Sequence, residues 1–462
     1  MRRILIFILF LVTSFTASSA SKDAVIEDLK ITFLDQVIRT ESTFRPQGTE
    51  ILATVSVGKK ERCVMSATLK GIPAEGQVIG YTLRKNDNNS FIFGKQNIDG
   101  QCYMVIYRKH QGVEILQERV LLSKKEAKKP IYTRMTANDW AVRFYYSFEP
   151  LNRLETAGWT RLGVMEGWIV GKKKDGKITH NIGVYGGEAS VKELGPFKAK
   201  ALQPMDTSFV CEIAPTFRNG KAYSSQGLCI HGKYAVIIRD KGWCEIYNLE
   251  TNKTESFYKL ENNDSHCNNA VFGPSRLTDQ SPFPLVYISE DNGSHACFVT
   301  EIGWNDSKIV QKIYYDGDKK SYPGPIDWIV DRENGHIYTY GGVRWGMRWL
   351  KKFRLPSLED SDENGEVHLT PDDVLFEMTY NEVGIGQGGF IKDGKLYFSA
   401  GYPPFHCKLH VYDLEHKEEI LCQDLQPVLH EPEGIDIVGD KMYVVFWCSG
   451  HRTRIYQFNL GR

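Results

Sequence analysis

SSQGLCIHGKYAVIIRDKGWCEIYNLETNKT, residues 224–254, decides how the second half of the chain is read. It runs from a polar residue and a glycine into an apolar strand, a Gly-Lys turn and a second strand. A loop, a third strand ending in Tyr-x-Leu and a charged turn follow. Residues 384–420, GIGQGGFIKDGKLYFSAGYPPFHCKLHVYDLEHKEEI, repeat that plan. Residues 430–460, HEPEGIDIVGDKMYVVFWCSGHRTRIYQFNL, repeat it again. Looser copies occupy 265–302 and 322–356. Self-similarity at a period of roughly 45–60 residues is the range of propeller blades. The last copy holds only three strands, and SFVCEIAP (Ser208–Pro215) can supply the missing outer one. Such a swap removes open sheet edges. The expected fold is therefore all-β, a C-terminal five-bladed β-propeller over 205–462 preceded by an N-terminal β-sandwich-like region.

Upstream, residues 24–128 carry short alternating apolar stretches separated by turn residues, the pattern of an Ig-like β-sandwich. The run Lys124–Lys129 reads as a solvated linker. Residues 131–204 are strand-rich and connect the two regions, with a hairpin signal at KKKDGK (172–177) but no assignable fold. At the N-terminus, Arg2 and Arg3 precede the apolar run Ile4–Val12, and small residues lead to Ala20. This is the pattern of a secretory signal peptide over 1–20, which places the mature chain in the periplasm, at the cell surface or outside the cell. No later segment is apolar for long enough to span a bilayer as a helix.

Lys+Arg and Asp+Glu number 57 each, so the net charge is zero and nothing favours nucleic acid as a bulk partner. The ten cysteines form no CxxC pair and no zinc spacing, so buried thiols with a few disulfides are expected.

In a propeller, the start of each innermost strand and the loop between the second and third strands share one face. The five strand starts contribute Gln226, His266 with Asn268, Asp327, Gln387 and Glu433. The five loops contribute Trp243, His295, Arg344, Trp345, Arg348, Tyr402, Phe405, His406, Trp447, His451 and Arg452. Aromatic faces stack on sugar rings, amides and acids bond hydroxyls, and arginine grips anionic groups. A glycan or other polar polymer is the expected partner. Each residue also has a structural use: the tryptophans as wedges between blades, and Asp327, Gln387 and Glu433 as caps on backbone amides. No nucleophile elbow, HExxH, P-loop or EF-hand occurs. Were the face catalytic, Asp327, Glu433 and His266 would carry the chemistry, with Glu433 pairing across blades rather than with Glu431. No cofactor is expected. Ca2+ suits clustered carboxylates and carbonyls, although no loop carries a calcium motif.

The motifs Gln226-Gly227, Gln387-Gly388-Gly389 and Glu431-Pro432-Glu433-Gly434 resemble those of five-bladed propellers in phage receptor-binding proteins and related teichoic-acid-type cell-wall-binding propellers. The resemblance covers roughly the last 250 residues. It implies non-catalytic binding of a cell-surface glycopolymer. The signal peptide and the strand-rich N-terminal region depart from that family and point to an exported envelope protein.

Overall fold

The computed structural model describes residues 24–58, 61–110, 112–155, 157–167, 170–189, 205–290, 294–317, 326–342, 347–381, 386–402, 407–425 and 430–460. The signal-peptide reading at 1–20 lies outside them. The fold is all-β, in several separate sheets, and no α-helix occurs among the described residues. The chain divides into two compact units. One holds Met1–Tyr107, Glu118–Leu162 and Gly167–Ser190, and the other holds Arg108–Gln117, Gly163–Glu166 and Val191–Arg462.

The first unit is built on two sheets. One runs in the order Thr160–Glu166, Ala141–Ser147, Ile131–Ala137, Cys63–Lys70, Val25–Phe33, Gln36–Phe44. The other runs Lys172–Lys174, Lys177–Glu188, Gln77–Asn86, Asn89–Ile98, Gln101–His110, Val113–Leu121, with Gly48–Val57 also paired to Lys177–Glu188. Their apolar faces meet where Phe144 packs on Phe93 and Phe91, at ring separations of 5.3 and 6.0 Å. Buried Thr133 donates to Ala67 O at 3.0 Å, so its oxygen accepts the Tyr81 hydroxyl, leaving that polar pair satisfied in the apolar layer. The stretch expected to connect two regions is thus partly internal. Its strands at 131–147 and 160–166 extend one sheet, and Lys177–Glu188 sits inside the other. The 124–129 segment is likewise held down, because the Lys95 ammonium donates to Ala127 O.

The second unit contains five sheets, numbered here by their innermost strands. These are Ser225–His231 (first), Ala270–Phe272 (second), Ile326–Asp331 (third), Gly386–Lys392 (fourth) and Glu431–Val438 (fifth). Each continues outward through antiparallel neighbours, as in Ser225–His231, Tyr234–Arg239, Trp243–Asn248, Lys253–Lys259. The second sheet gains a parallel edge strand, Glu366–Leu369. The fifth takes its outermost strand from Thr207–Ile213, which pairs with Arg452–Asn459, as expected from Ser208–Pro215. The inner strands are buried nearly throughout, whereas an outer strand such as Lys253–Lys259 is mostly exposed. That gradient explains why the inner strands read as continuous apolar runs.

The inner strands approach one another closely. A Cβ on Gly227 would lie 2.3 Å from Ala270 Cβ, one on Gly388 2.4 Å from Glu433 O, and one on Gly434 2.4 Å from Leu228 N. Only glycine permits these contacts between first and second, fourth and fifth, and fifth and first strands. Asn269 donates to Trp328 O at 2.9 Å and to Gly389 O at 3.2 Å, joining the second strand to the third and fourth. At the far ends of the same strands, Arg332 donates to Ile437 O at 2.7 Å.

All ten cysteines are free thiols, so the expected disulfides are absent, and all but Cys422 are buried. Burial pushes the Cys63, Cys211, Cys244 and Cys407 thiols up to about 12, which leaves them as neutral apolar fillers.

Candidate functional site at the starts of the inner strands

The leading residues of the five inner strands bring polar side chains together because the glycines beside them draw the backbones close. Asn268 donates to Asp327 Oδ2 at 2.8 Å and to Gln387 O at 3.4 Å. The Tyr340 hydroxyl also donates to Gln387 O, at 2.8 Å. Gln387 donates to Gly401 O at 3.2 Å and to Glu431 Oε1 at 3.1 Å, so the fourth strand's start is tied to its own loop and to the fifth strand. Gln226 donates to Ser224 Oγ at 3.0 Å, while its buried Oε1 has no hydrogen-bond partner.

Four titratable groups interact here. His266 Nδ1 lies 2.9 Å from Asp240 Oδ1, which sits on the turn between second and third strands of the first sheet. Burial acts to raise the Asp240 pKa, but the hydrogen bond and charge of His266, with Lys241, outweigh it and hold the carboxyl below its usual range. Glu431 is shifted up by burial, against the Gln387 hydrogen bond and the His266 charge. Glu433 is only 2% exposed, and its carboxyl is pushed well above the carboxylate range, first by burial, then by Glu431 and Asp240. Burial therefore favours its protonated form. Its Oε2 is buried with no hydrogen-bond partner. A buried, unmade hydrogen bond of this kind carries a desolvation cost of about 1–3 kcal/mol.

Of the two carboxyls that raise Glu433, Glu431 acts more strongly than Asp240. A register shift falls between Pro432 and Ile435, just after Glu431. Asp327 is instead engaged by Asn268.

The loop residues divide. Trp243 stacks on Tyr223 at 5.3 Å and on Phe257 at 5.1 Å, within an aromatic column of the first sheet. His451 packs against Trp447 at 5.6 Å and Phe217 at 6.4 Å. Arg452 pairs with Glu212 of the strand Thr207–Ile213, and Arg454 reaches the same carboxylate at 2.7 Å. Half-buried Tyr402 directly follows Gly401, the acceptor for Gln387. Arg348 stands in register opposite Gly342 and Tyr380. Arg344, Trp345, Phe405 and His406 lie outside the described residues. Asp240 was not singled out from sequence, and Glu431 was named only as the neighbour of Glu433. Asp240 is the second residue of the loop Arg239–Trp243, and its loop position was the available signal. Among the described residues, the strand-start carboxyls form no cluster of three His, Cys, Asp or Glu donors.

No protein-family model matches the chain, and no curated protein does. Among solved structures, the chain is similar to the tail fiber of Staphylococcus aureus phage P68, at 14% identity and a TM-score of 0.38, over 55% of this chain and 53% of that one. The match thus spans about half the length of the tail fiber. The Myxococcus xanthus glutaminyl cyclase is similar at 13% identity and a TM-score of 0.36, over 56% of this chain and 100% of that one. BamB from Moraxella catarrhalis is similar at 12% identity and a TM-score of 0.25, over 52% and 76% of the two chains.

Proposed function

We propose that the second unit is a five-bladed β-propeller whose strand-start face binds a cell-surface or extracellular glycan. The successive inner-strand contacts, first to second, second to third and fourth, fourth to fifth and fifth to first, support the propeller. One observation carries the binding reading: Gln226 Oε1 and Glu433 Oε2 are buried beside converging backbones with no hydrogen-bond partner. A ligand with hydroxyl or amide groups can satisfy both, Gln226 Oε1 as an acceptor and the Glu433 carboxyl as an acceptor or, when protonated, a donor. Half-buried Tyr402 offers aromatic surface for a sugar's C–H face. The signal-peptide reading puts such a protein outside the cytoplasm, with the first unit as spacer or docking module.

A second reading, glycan cleavage at the same face, draws on a specific feature. Burial raises the Glu433 carboxyl beside Glu431, the direction a general acid requires. A glycan array followed by product analysis separates the two. Retention of a glycan without turnover supports binding, and new reducing ends or unsaturated uronates support cleavage. Absence of retention and of products on every glycan tested would overturn both.

A further inference from the structure

The fourth sheet carries a donor cluster that the proposed glycan site does not use. His410 and Cys422 are directly opposed across the strands Lys408–Asp413 and Glu418–Asp424, which puts their side chains on one face. A register shift between Val411 and Tyr412 brings Glu419 to the same place. One imidazole nitrogen, one carboxylate oxygen and the Cys422 sulfur all lie within 4.8 Å of one another. His410 Nδ1 is 2.5 Å from Glu419 Oε1, and the two side chains are only 1% and 7% exposed. The imidazole stacks near Tyr412 at 6.2 Å and beside Phe398 at 6.2 Å, which fixes its plane. Its Nε2 is buried with no hydrogen-bond partner. Cys422 is the one exposed cysteine of the ten.

We propose that His410, Glu419 and Cys422 form a three-ligand site for a thiophilic divalent cation, Zn2+ in the first instance, with a fourth position open to water. The donor set selects the class. Sulfur with imidazole disfavours Ca2+ and Mg2+ and suits zinc. Zinc bonds of about 2.0–2.3 Å place tetrahedral ligands a little over 3 Å apart. Histidine and glutamate need to part by less than about 1 Å, and the cysteine to close in slightly, for an ion to sit among them.

The test uses the full chain, stripped with a chelator, dialysed against Zn2+ and analysed for metal content. Wild type is expected to retain one equivalent, and its Co2+ form to show a sulfur-to-cobalt charge-transfer band. Cys422→Ser, exposed and isosteric, should fold normally, lose the band and weaken binding by at least about tenfold. His410→Gln should do the same. Zinc should also slow iodoacetamide alkylation of Cys422. Retention of no metal by wild type, equal retention by Cys422→Ser, or alkylation at one rate with and without zinc would each overturn the site.

Discussion

Arg332 donates to Asp436 Oδ1 at 3.2 Å across 104 positions of sequence, joining the end of the third inner strand to the fifth. The other Asp436 oxygen accepts the Ile230 amide at 2.5 Å, so one fully buried carboxylate also secures the first strand. Glycines join the strands at one end, and a charge network joins them at the other.

Asp436 gives a pH signature. Burial raises its carboxyl to about 6, against the pull of Arg332 and the amides of Ile230 and Ile437. The folded pKa exceeds the unfolded value of 3.8, so the native state binds the proton more tightly. The associated stability is present below about pH 4 and lost as pH rises through 6, roughly 3 kcal/mol in all. Asp436→Asn cannot titrate. Urea denaturation from pH 4 to 7 should show wild type losing ground to the mutant by that order. A constant difference would contradict the shift.

Glu433→Gln separates binding from chemistry. The carboxamide keeps a neutral donor and acceptor, so a binding site should hold its glycan affinity within about threefold. A general acid cannot survive that change, and turnover would fall by about 10²–10⁴. Glu433→Ala should weaken binding on either reading, measured by calorimetry with the glycan found on the array.

Gly434→Ala inserts a methyl 2.4 Å from the Leu228 amide nitrogen, a backbone atom that cannot swing away. A loss of about 1–3 kcal/mol is expected from overpacking. A denaturant midpoint equal to wild type would mean that the first and fifth strands do not meet as described.

Thiol counting tests the burial pattern. With a chelator present, one of the ten cysteines, Cys422, should react quickly with a disulfide reagent in the native protein, and all ten after denaturation. Fewer than ten in denaturant would reveal a disulfide.

Deleting residues 207–213 leaves Arg452–Asn459 as an uncovered edge and frees Arg452 and Arg454 from Glu212. The truncated chain should self-associate in a concentration-dependent way by light scattering. A monomer as stable as wild type would contradict the role of that strand.

Sequence repeats revealed the five inner strands because burial on both faces makes them apolar and nearly continuous. The outer strands were harder to see. Lys253–Lys259 (KTESFYK) is mostly exposed, so its composition matches a charged turn. Gln226, Asn268, Asp327, Gln387 and Glu433 were legible from the glycines and strands around them. Glu431 was read only as a neighbour of Glu433, and the register shift after Pro432 breaks a period-two reading of the two. Arg452 looked like an anion contact, yet its partner Glu212 lies 240 residues away. The cluster at His410, Glu419 and Cys422 has no short motif, since it is assembled across two strands and a bulge.

The pairing of Thr207–Ile213 with Arg452–Asn459 also sets an order of events during synthesis. The first of these strands leaves the ribosome about 240 residues before its partner exists. At roughly 5–20 residues per second it waits on the order of 10–50 s with its hydrogen-bonding groups uncommitted. Whatever shields that strand in the interval governs the yield of folded protein, and slow translation downstream of residue 213 should lower it.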